Sequence, residues 1–159
     1  MSESRYDPRY DPRAPEDERP RPFSDLPPPP PAGTPRGEVY DWFVRGVELL
    51  ENGDTNAAVQ LLTHCAQAEP ESRQVREALA RAQFDAGMYD EARENFAWII
   101  SLNPADDYAQ FGLGLAATKA GDLQSAVEHL ALAAAMRPDI NYYSTALRGA
   151  RAALTAARR

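Results

Sequence analysis

Three prolines with identical spacing place the strongest constraint on how this chain folds. After position 36 the sequence contains only Pro70, Pro104 and Pro138, and the interval between the first two equals the interval between the last two. A proline stops a helix because it lacks an N–H group and its ring clashes with the preceding turn. The spacing therefore predicts a chain built from a repeated helical unit, and we call this proline-to-proline interval the repeat length.

Small and bulky residues recur in step with these prolines. Each repeat is predicted to contain a first helix, a turn with a glycine, and a second helix in which an alanine precedes a bulky apolar residue by one turn. In chain order the turn glycines are Gly53, Gly87 and Gly121, the alanines are Ala58, Ala92 and Ala126, and the bulky residues are Leu62, Phe96 and Leu130. The first helices contribute the small residues Gly46, Ala80 and Gly114, and the predicted N-caps of the second helices are Asp54, Asp90 and Asp122. We interpret the small residues as places where two helices approach closely, with the bulky side chain filling the space beside them.

This pattern resembles the tetratricopeptide repeat family, whose repeats carry Trp, Leu-Gly, Tyr, Ala, Phe and Pro at set spacings. The first repeat supplies Trp42, Gly46, Ala58, Leu62 and Pro70 but has Arg45 where Leu is usual; the second supplies Leu79, Ala80, Ala92, Phe96 and Pro104, and the third Leu113, Gly114, Ala126, Leu130 and Pro138. The resemblance covers residues 39–72, 73–106 and 107–140. It implies an all-α fold, a right-handed α-solenoid of three helix pairs. Residues 141–157 are predicted to form a C-terminal capping helix over the last pair.

Residues 1–36 differ in composition from the rest of the chain. They contain eleven of the 14 prolines and almost no large aliphatic side chains. Such a segment cannot bury enough apolar surface to offset its conformational entropy. We therefore predict a disordered N-terminal tail, with polyproline II character near Pro27–Pro31, before a folded domain at residues 37–159.

Composition and charge exclude several classes of protein. The single cysteine, Cys65, rules out an internal disulfide and fits a reducing compartment. No apolar run is long enough to span a membrane, and no signal peptide precedes the domain, so we expect a cytoplasmic protein. The net charge of −7 argues against binding to nucleic acid. The preference for arginine over lysine is typical of a high-GC bacterial genome.

In the family, the first helices line a concave groove that binds peptides or partner helices. Helical spacing places the following residues in that groove here: Tyr40, Phe43, Val47, Leu50, Gln74, Glu77, Arg81, Phe84, Tyr108, Phe111 and Leu115, with Tyr142 added by the capping helix. The excess of aromatic residues predicts a groove that binds an apolar or proline-containing segment or helix of a partner protein, with Glu77 and Arg81 setting its register. The alternative is that some of them, such as Phe43, Leu50 and Leu115, belong to the core.

The resemblance also implies one ligand class that can be checked residue by residue. Chaperone-binding members hold the double carboxylate of a peptide tail with Lys, Asn and Arg side chains. The matching positions here are Phe43, Val47, Ala78, Tyr108 and Gly112. None of these side chains can donate a charged hydrogen bond, so we predict that this carboxylate clamp is absent.

No pattern in the sequence predicts catalysis, a cofactor or a metal site. His64 and His129 fall in different repeats, and neither has a second ligand at metal spacing except the adjacent Cys65. The arginines near the C-terminus either interact favourably with the negative end of the helix dipole or bind phosphate. We favour the interaction with the dipole. We expect a non-enzymatic scaffold or adaptor that binds protein, without a cofactor or a small-molecule substrate. The alternative is a self-associating homo-oligomer, with residues 1–36 as an intramolecular or intermolecular ligand of the groove.

Overall fold

The computed structural model describes residues 37–159, and the predicted disordered tail lies outside this range. The described residues form helices and contain no strand, so the all-α class is confirmed for this part of the chain. The helices are α1 (Glu38–Glu51), α2 (Thr55–Ala68), α3 (Arg73–Asp85), α4 (Tyr89–Leu102), α5 (Asp107–Ala120), α6 (Leu123–Met136) and α7 (Asn141–Ala157). They fall into two compact units, the N-terminal unit up to Asn95 and the C-terminal unit from Phe96 to Arg159.

The core of the N-terminal unit forms where α2 packs against α1 and α3. Phe43 and Leu50 of α1 meet Leu62 of α2 and Val75 of α3, and all four side chains are buried. Trp42 covers one edge of this cluster and is half-buried. The apolar stripes of the three helices therefore bury one another, which is the main source of stability in such a fold.

The core of the C-terminal unit forms where α6 packs against α5 and α7. Phe111 of α5, Leu130 of α6 and Tyr143 and Leu147 of α7 are buried in one cluster. The hydroxyl of Tyr143 also donates a hydrogen bond of 2.8 Å to the carboxylate of Asp107 at the start of α5. Thus α7 is attached to the last helix pair by apolar packing and by a partly buried hydrogen bond.

The turn inside each helix pair has the same geometry three times. Its glycine has a left-handed backbone conformation in every case, with φ of 86° at Gly53, 80° at Gly87 and 85° at Gly121. Only glycine adopts this conformation without strain, so the glycines recur because the turn requires them. The next residue donates its backbone N–H to the preceding helix, at 2.9 Å from Asp54, 2.8 Å from Met88 and 2.9 Å from Asp122.

The repeated turn corrects one of the three predicted N-caps. Asp122 caps α6, since its carboxylate accepts the N–H of Ser125 at 3.2 Å, and Asp54 is in the N-cap position of α2. Asp90 lies inside the first turn of α4, and the prediction that it is an N-cap is wrong. The residue in phase with the other two is Met88, which directly follows the turn glycine.

The predicted close approach within helix pairs is confirmed by the space around two glycines. A Cβ atom added to Gly46 would lie 2.7 Å from Cδ2 of Leu62, and one added to Gly114 would lie 2.6 Å from Cγ of Leu130. Both separations are far shorter than van der Waals contact, so the bulky residue of each second helix occupies the space that a side chain would need.

Each of the seven helices in residues 37–159 is too short or too polar to cross a lipid bilayer.

Candidate partner-binding faces

The predicted groove residues of the N-terminal unit differ widely in exposure. Phe43 and Val47 are buried in the core cluster, with exposed fractions of 2% and 9%. Tyr40 is 41% exposed on α1. Phe84 is half-buried on α3 and packs edge-to-face against Tyr89, with 5.4 Å between the ring centroids. Among the predicted groove residues of this unit, Tyr40 and Phe84 are therefore the aromatic residues that keep surface exposed.

The two charged residues predicted for the groove are nearly buried on α3. Glu77 is 8% exposed and Arg81 is 4% exposed. An oxygen of Glu77 lies 3.0 Å from Nη1 of Arg73, one turn earlier on the same helix. A buried carboxylate is costly unless it is paired, so Arg73 offsets part of the cost of placing Glu77 there.

Two predicted residues of the C-terminal unit, Phe111 and Tyr142, form a group of three aromatic rings with Tyr143, and we call this group the aromatic cluster. Phe111 stacks on Tyr143 with a centroid separation of 4.6 Å. The ring of Tyr142 lies 5.2 Å from Phe111 and meets Tyr143 edge-on at 5.1 Å. These separations are those of favourable aromatic pairs. Of the three rings, only Tyr142 keeps part of its surface exposed.

The other two predicted residues of this unit lie on α5. Tyr108 is buried, and Leu115 is half-buried at the edge of the core. Together with Tyr142, Leu115 provides the partly exposed apolar surface among the residues predicted for this unit.

Tyr143 is held in its neutral form by its surroundings. Burial is the largest cause that raises the pKa of its phenol above the usual range, and the negative charge of Asp107 raises it further. The neutral phenol is the form that can donate its proton to Asp107. The pair thus fixes the orientation of Tyr143 and, through it, the cluster on which Tyr142 rests.

A partly buried polar network in the N-terminal unit was not predicted from the sequence. Arg76 of α3 donates from Nε to the carbonyl of Pro70 at 3.0 Å and from Nη1 to the amide oxygen of Asn95 at 3.1 Å. Asn95 donates in turn to the amide oxygen of Gln83 at 2.7 Å. The network joins both helices of the second repeat to the loop that precedes them.

The C-terminal unit repeats this arrangement with different residues. Gln110 donates to the carbonyl of Pro104 at 3.0 Å, and its amide oxygen lies 2.7 Å from Nδ1 of His129. Because that oxygen can only accept, Nδ1 of His129 carries the proton.

A shared phase could have revealed both networks. Gln110 lies one repeat length after Arg76, and His129 lies one repeat length after Asn95. In the first repeat the position in phase with Arg76 and Gln110 holds Trp42, the tryptophan of the family pattern. The sequence signal for the networks was therefore a polar residue, Arg76 or Gln110, at the position where the family pattern has tryptophan.

Replacing Asn95 with alanine is expected to destabilise the protein by about 1–3 kcal/mol, because it leaves the buried amide of Gln83 without its partner. Chemical denaturation followed by circular dichroism measures the change. Gln124→Ala is the matched control, since it removes an amide whose hydrogen bonds, to Glu128 at 3.1 Å and from Arg158 at 2.8 Å, are both exposed. Equal stability of the two variants would contradict a structural role for the network.

The remaining candidate ligands contact neighbouring protein groups. The ring of His64 packs on Trp42 with 4.6 Å between centroids. Cys65 is fully buried, and burial raises the pKa of its thiol, which keeps the sulfur neutral and unreactive. Within residues 37–159 no three His, Cys, Asp or Glu side chains are grouped in a way that could hold a metal ion.

Comparison with known proteins identifies the family. The sequence profile described as tetratricopeptide repeat matches residues 43–93 and 77–139, which together cover more than half of the chain. The chain belongs to the tetratricopeptide repeat family. No curated protein sequence matches this tetratricopeptide repeat protein.

Solved structures show the same fold at low sequence identity. The tetratricopeptide domain of Sgt2 from Aspergillus fumigatus is 19% identical, with a TM-score of 0.70, and the match covers 82% of this chain and 88% of that one. The first tetratricopeptide domain of Spaghetti (RPAP3), bound to the HSP90 peptide SRMEEVD, is 18% identical with a TM-score of 0.70 and coverages of 78% and 98%. A MamA RS-1 double mutant is 20% identical with a TM-score of 0.69, and the match covers 72% of this chain but only 65% of MamA.

Proposed function

We propose that this tetratricopeptide repeat protein is a protein–protein interaction module whose role is binding rather than catalysis. Its ligand is an apolar or proline-containing segment or helix of a partner, bound on the exposed faces of the first helices of the repeats and of α7. We place this binding in the cytoplasm. The observation that carries the proposal is the partly exposed ring of Tyr142, which rests on two buried rings of its own unit.

Tyr142 has the properties of a preorganised contact residue. Its contacts with Phe111 and Tyr143 restrict the motion of the ring before any ligand arrives. A rigid ring loses little conformational entropy on binding and presents a large apolar face. Proline rings and aliphatic side chains pack well on such faces, since a polyproline segment is itself already extended and stiff.

The N-terminal unit offers a second surface of similar chemistry. Tyr40 and Phe84 supply exposed aromatic area, and the Arg73–Glu77 pair supplies charge between them along the sequence. We propose that this surface can itself bind an apolar segment of a partner, with Glu77 and Arg81 fixing the register by polar contacts. Arg81 is available for this role only through the small part of its surface that is exposed.

The ligand is proposed to lack a terminal carboxylate pair as its main anchor. The positions that match the chaperone-type clamp hold Phe43, Val47, Ala78, Tyr108 and Gly112, and all of them are buried. The RPAP3 domain is bound to an HSP90 peptide that ends in aspartate. Here neither charge nor exposure at these positions supports that mode of binding.

A direct test compares two peptides on a chain that starts at Gly37. One peptide is FSDLPPPPP, the sequence of residues 23–31, and the other is SRMEEVD. We expect the first to bind in calorimetric titration and the second not to bind. Tyr142→Ala should weaken the first interaction about tenfold, which is a typical loss for an aromatic anchor.

Leu132→Ala provides the matched control, because Leu132 is an apolar residue of α6 with 49% exposure that lies outside the proposed surface. Its affinity should equal that of the parent chain. Equal losses in the two variants, or tighter binding of SRMEEVD than of the proline-rich peptide, would contradict the proposal.

The second candidate ligand is the tail of the same chain. The described structure begins at Gly37, directly before α1, so residues 1–36 are attached beside the helix that carries Tyr40. Such attachment gives a tethered ligand an effective concentration of about 1 mM or more. If the tail binds its own groove, the full chain should bind the proline-rich peptide several-fold more weakly than the chain that starts at Gly37. Equal affinities would rule the tail out as a competitor.

A further inference from the structure

The last helix carries arginine where the preceding first helix carries small residues. Arg148 lies one repeat length after Gly114, and Arg151 lies one repeat length after Ala117. In α5 these two small residues are buried in the core shared with α6, and Gly114 has no room for a side chain beside Leu130. In α7 both arginines are exposed. The repeat positions that pack against a second helix in α5 are therefore exposed and basic in α7.

Four arginines and no acidic residue follow Ile140, and all four arginines are exposed. Arg148, Arg151 and Arg158 are separated by three and then seven residues, which places them on one side of the helix. The hydrogen bonds of Arg148 and Arg158 within the described residues go to neutral groups, the hydroxyl of Thr145 at 3.3 Å and the amide of Gln124 at 2.8 Å. We call Arg148, Arg151 and Arg158 the arginine stripe.

The first helix carries an acidic stripe with the same spacing. Glu38, Asp41 and Glu48 are exposed on α1 and are also separated by three and then seven residues. When the two helices are aligned in parallel, each acid faces an arginine. The facing pairs are Glu38 and Arg148, Asp41 and Arg151, and Glu48 and Arg158. The one basic residue on this side of α1, Arg45, pairs with Glu48 at 3.3 Å and would face Thr155, so the register brings no like charges together.

From this complementarity we propose that the arginine stripe of one molecule binds the acidic stripe of a second copy, with α7 parallel to α1. The contact joins two different surfaces, so a bound pair of molecules leaves one arginine stripe and one acidic stripe available for further copies. Exposed ion pairs are individually weak and are screened by salt. The association is therefore expected at low ionic strength and high protein concentration. The proposal does not rest on the proposed partner-binding function.

Sedimentation velocity of the full chain at about 20 mM and about 500 mM salt tests the proposal, because the Debye length shrinks severalfold between these conditions. We expect concentration-dependent association at low salt, weakened at least tenfold at high salt. Arg148→Glu/Arg151→Glu and Glu38→Arg/Asp41→Arg should each be monomeric alone. An equimolar mixture of these two variants should associate again, since each supplies the stripe that the other lacks.

Lys119→Glu is the control for a charge reversal elsewhere on the surface, since Lys119 is exposed at the end of α5 and outside both stripes. Its association should match that of the parent chain. A monomer at every concentration in low salt would overturn the proposal, and so would association that survives either double reversal. Failure of the mixed variants to associate would overturn the pairing of these two stripes.

Discussion

Tyr143→Ala is expected to destabilise the protein by about 3–5 kcal/mol, the usual cost of removing a buried aromatic ring. The side chain is almost fully buried, stacks on Phe111 and bonds Asp107, so its loss leaves a cavity between α5 and α7. Denaturant unfolding followed by circular dichroism measures the change. Tyr40→Ala is the control, because Tyr40 is largely exposed and its loss should cost less than about 1 kcal/mol.

Tyr143→Phe separates the ring from the hydroxyl. The ring still stacks on Phe111, while the hydrogen bond to Asp107 is lost, so we expect a cost of about 1–2 kcal/mol. The variant should also change the response to alkaline pH. The pKa of Tyr143 is raised in the folded protein, so its contribution is complete below about pH 10 and is lost as the pH rises above that value, where the unfolded chain ionises first.

The alkaline loss of stability should therefore be smaller in Tyr143→Phe than in the parent chain. Unfolding curves collected at neutral pH and above about pH 10 give this difference directly. An identical pH dependence in both proteins would show that burial does not raise the pKa of this phenol.

Gly114→Ala is expected to destabilise the protein by about 1–3 kcal/mol, although alanine is the better helix former. The added methyl group would lie 2.6 Å from Cγ of Leu130 and 3.2 Å from its backbone nitrogen. A side-chain rotation can relieve the first contact but not the second, so α5 and α6 must move apart. Thermal unfolding followed by circular dichroism provides the measurement.

Gly149→Ala is the matched control in α7, where a Cβ atom meets nothing within 4 Å. There the same substitution should stabilise the protein by about 0.5–1 kcal/mol, because alanine has less conformational entropy to lose. The two variants thus have opposite expected signs. Destabilisation by both would show that helix packing at Gly114 is not the cause.

The repeat phase was the part of the fold that could be predicted from the sequence. Positions one repeat length apart share an environment, so the close approach at Gly46 and Gly114 followed from the in-phase leucines. The N-cap prediction for Asp90 was wrong because Asp90 is out of that phase by two residues, and Met88 occupies the equivalent place. The number of residues from the turn glycine was therefore a better guide to the N-cap than the presence of an aspartate nearby.

The candidate site was less predictable than the fold, for a physical reason. Helical periodicity selects one face of a helix but does not reveal what covers that face. Tyr40 and Phe43 belong to the same predicted row, yet the first is exposed and the second is buried. That the charged residues Glu77 and Arg81 contact a partner stays a prediction. The bond between Arg76 and Asn95 could not be inferred from either residue alone, since it depends on how two helices face each other.

The polar networks and the Tyr143–Asp107 bond also bear on how quickly the protein folds. Arg76 reaches back six residues to Pro70, Gln110 reaches forward 19 residues to His129, and Tyr143 reaches back 36 residues to Asp107. Contacts between residues close in sequence require little loop closure before they form, and proteins rich in them fold on microsecond to millisecond timescales. Because each compact unit has its own core, folding can start in either one.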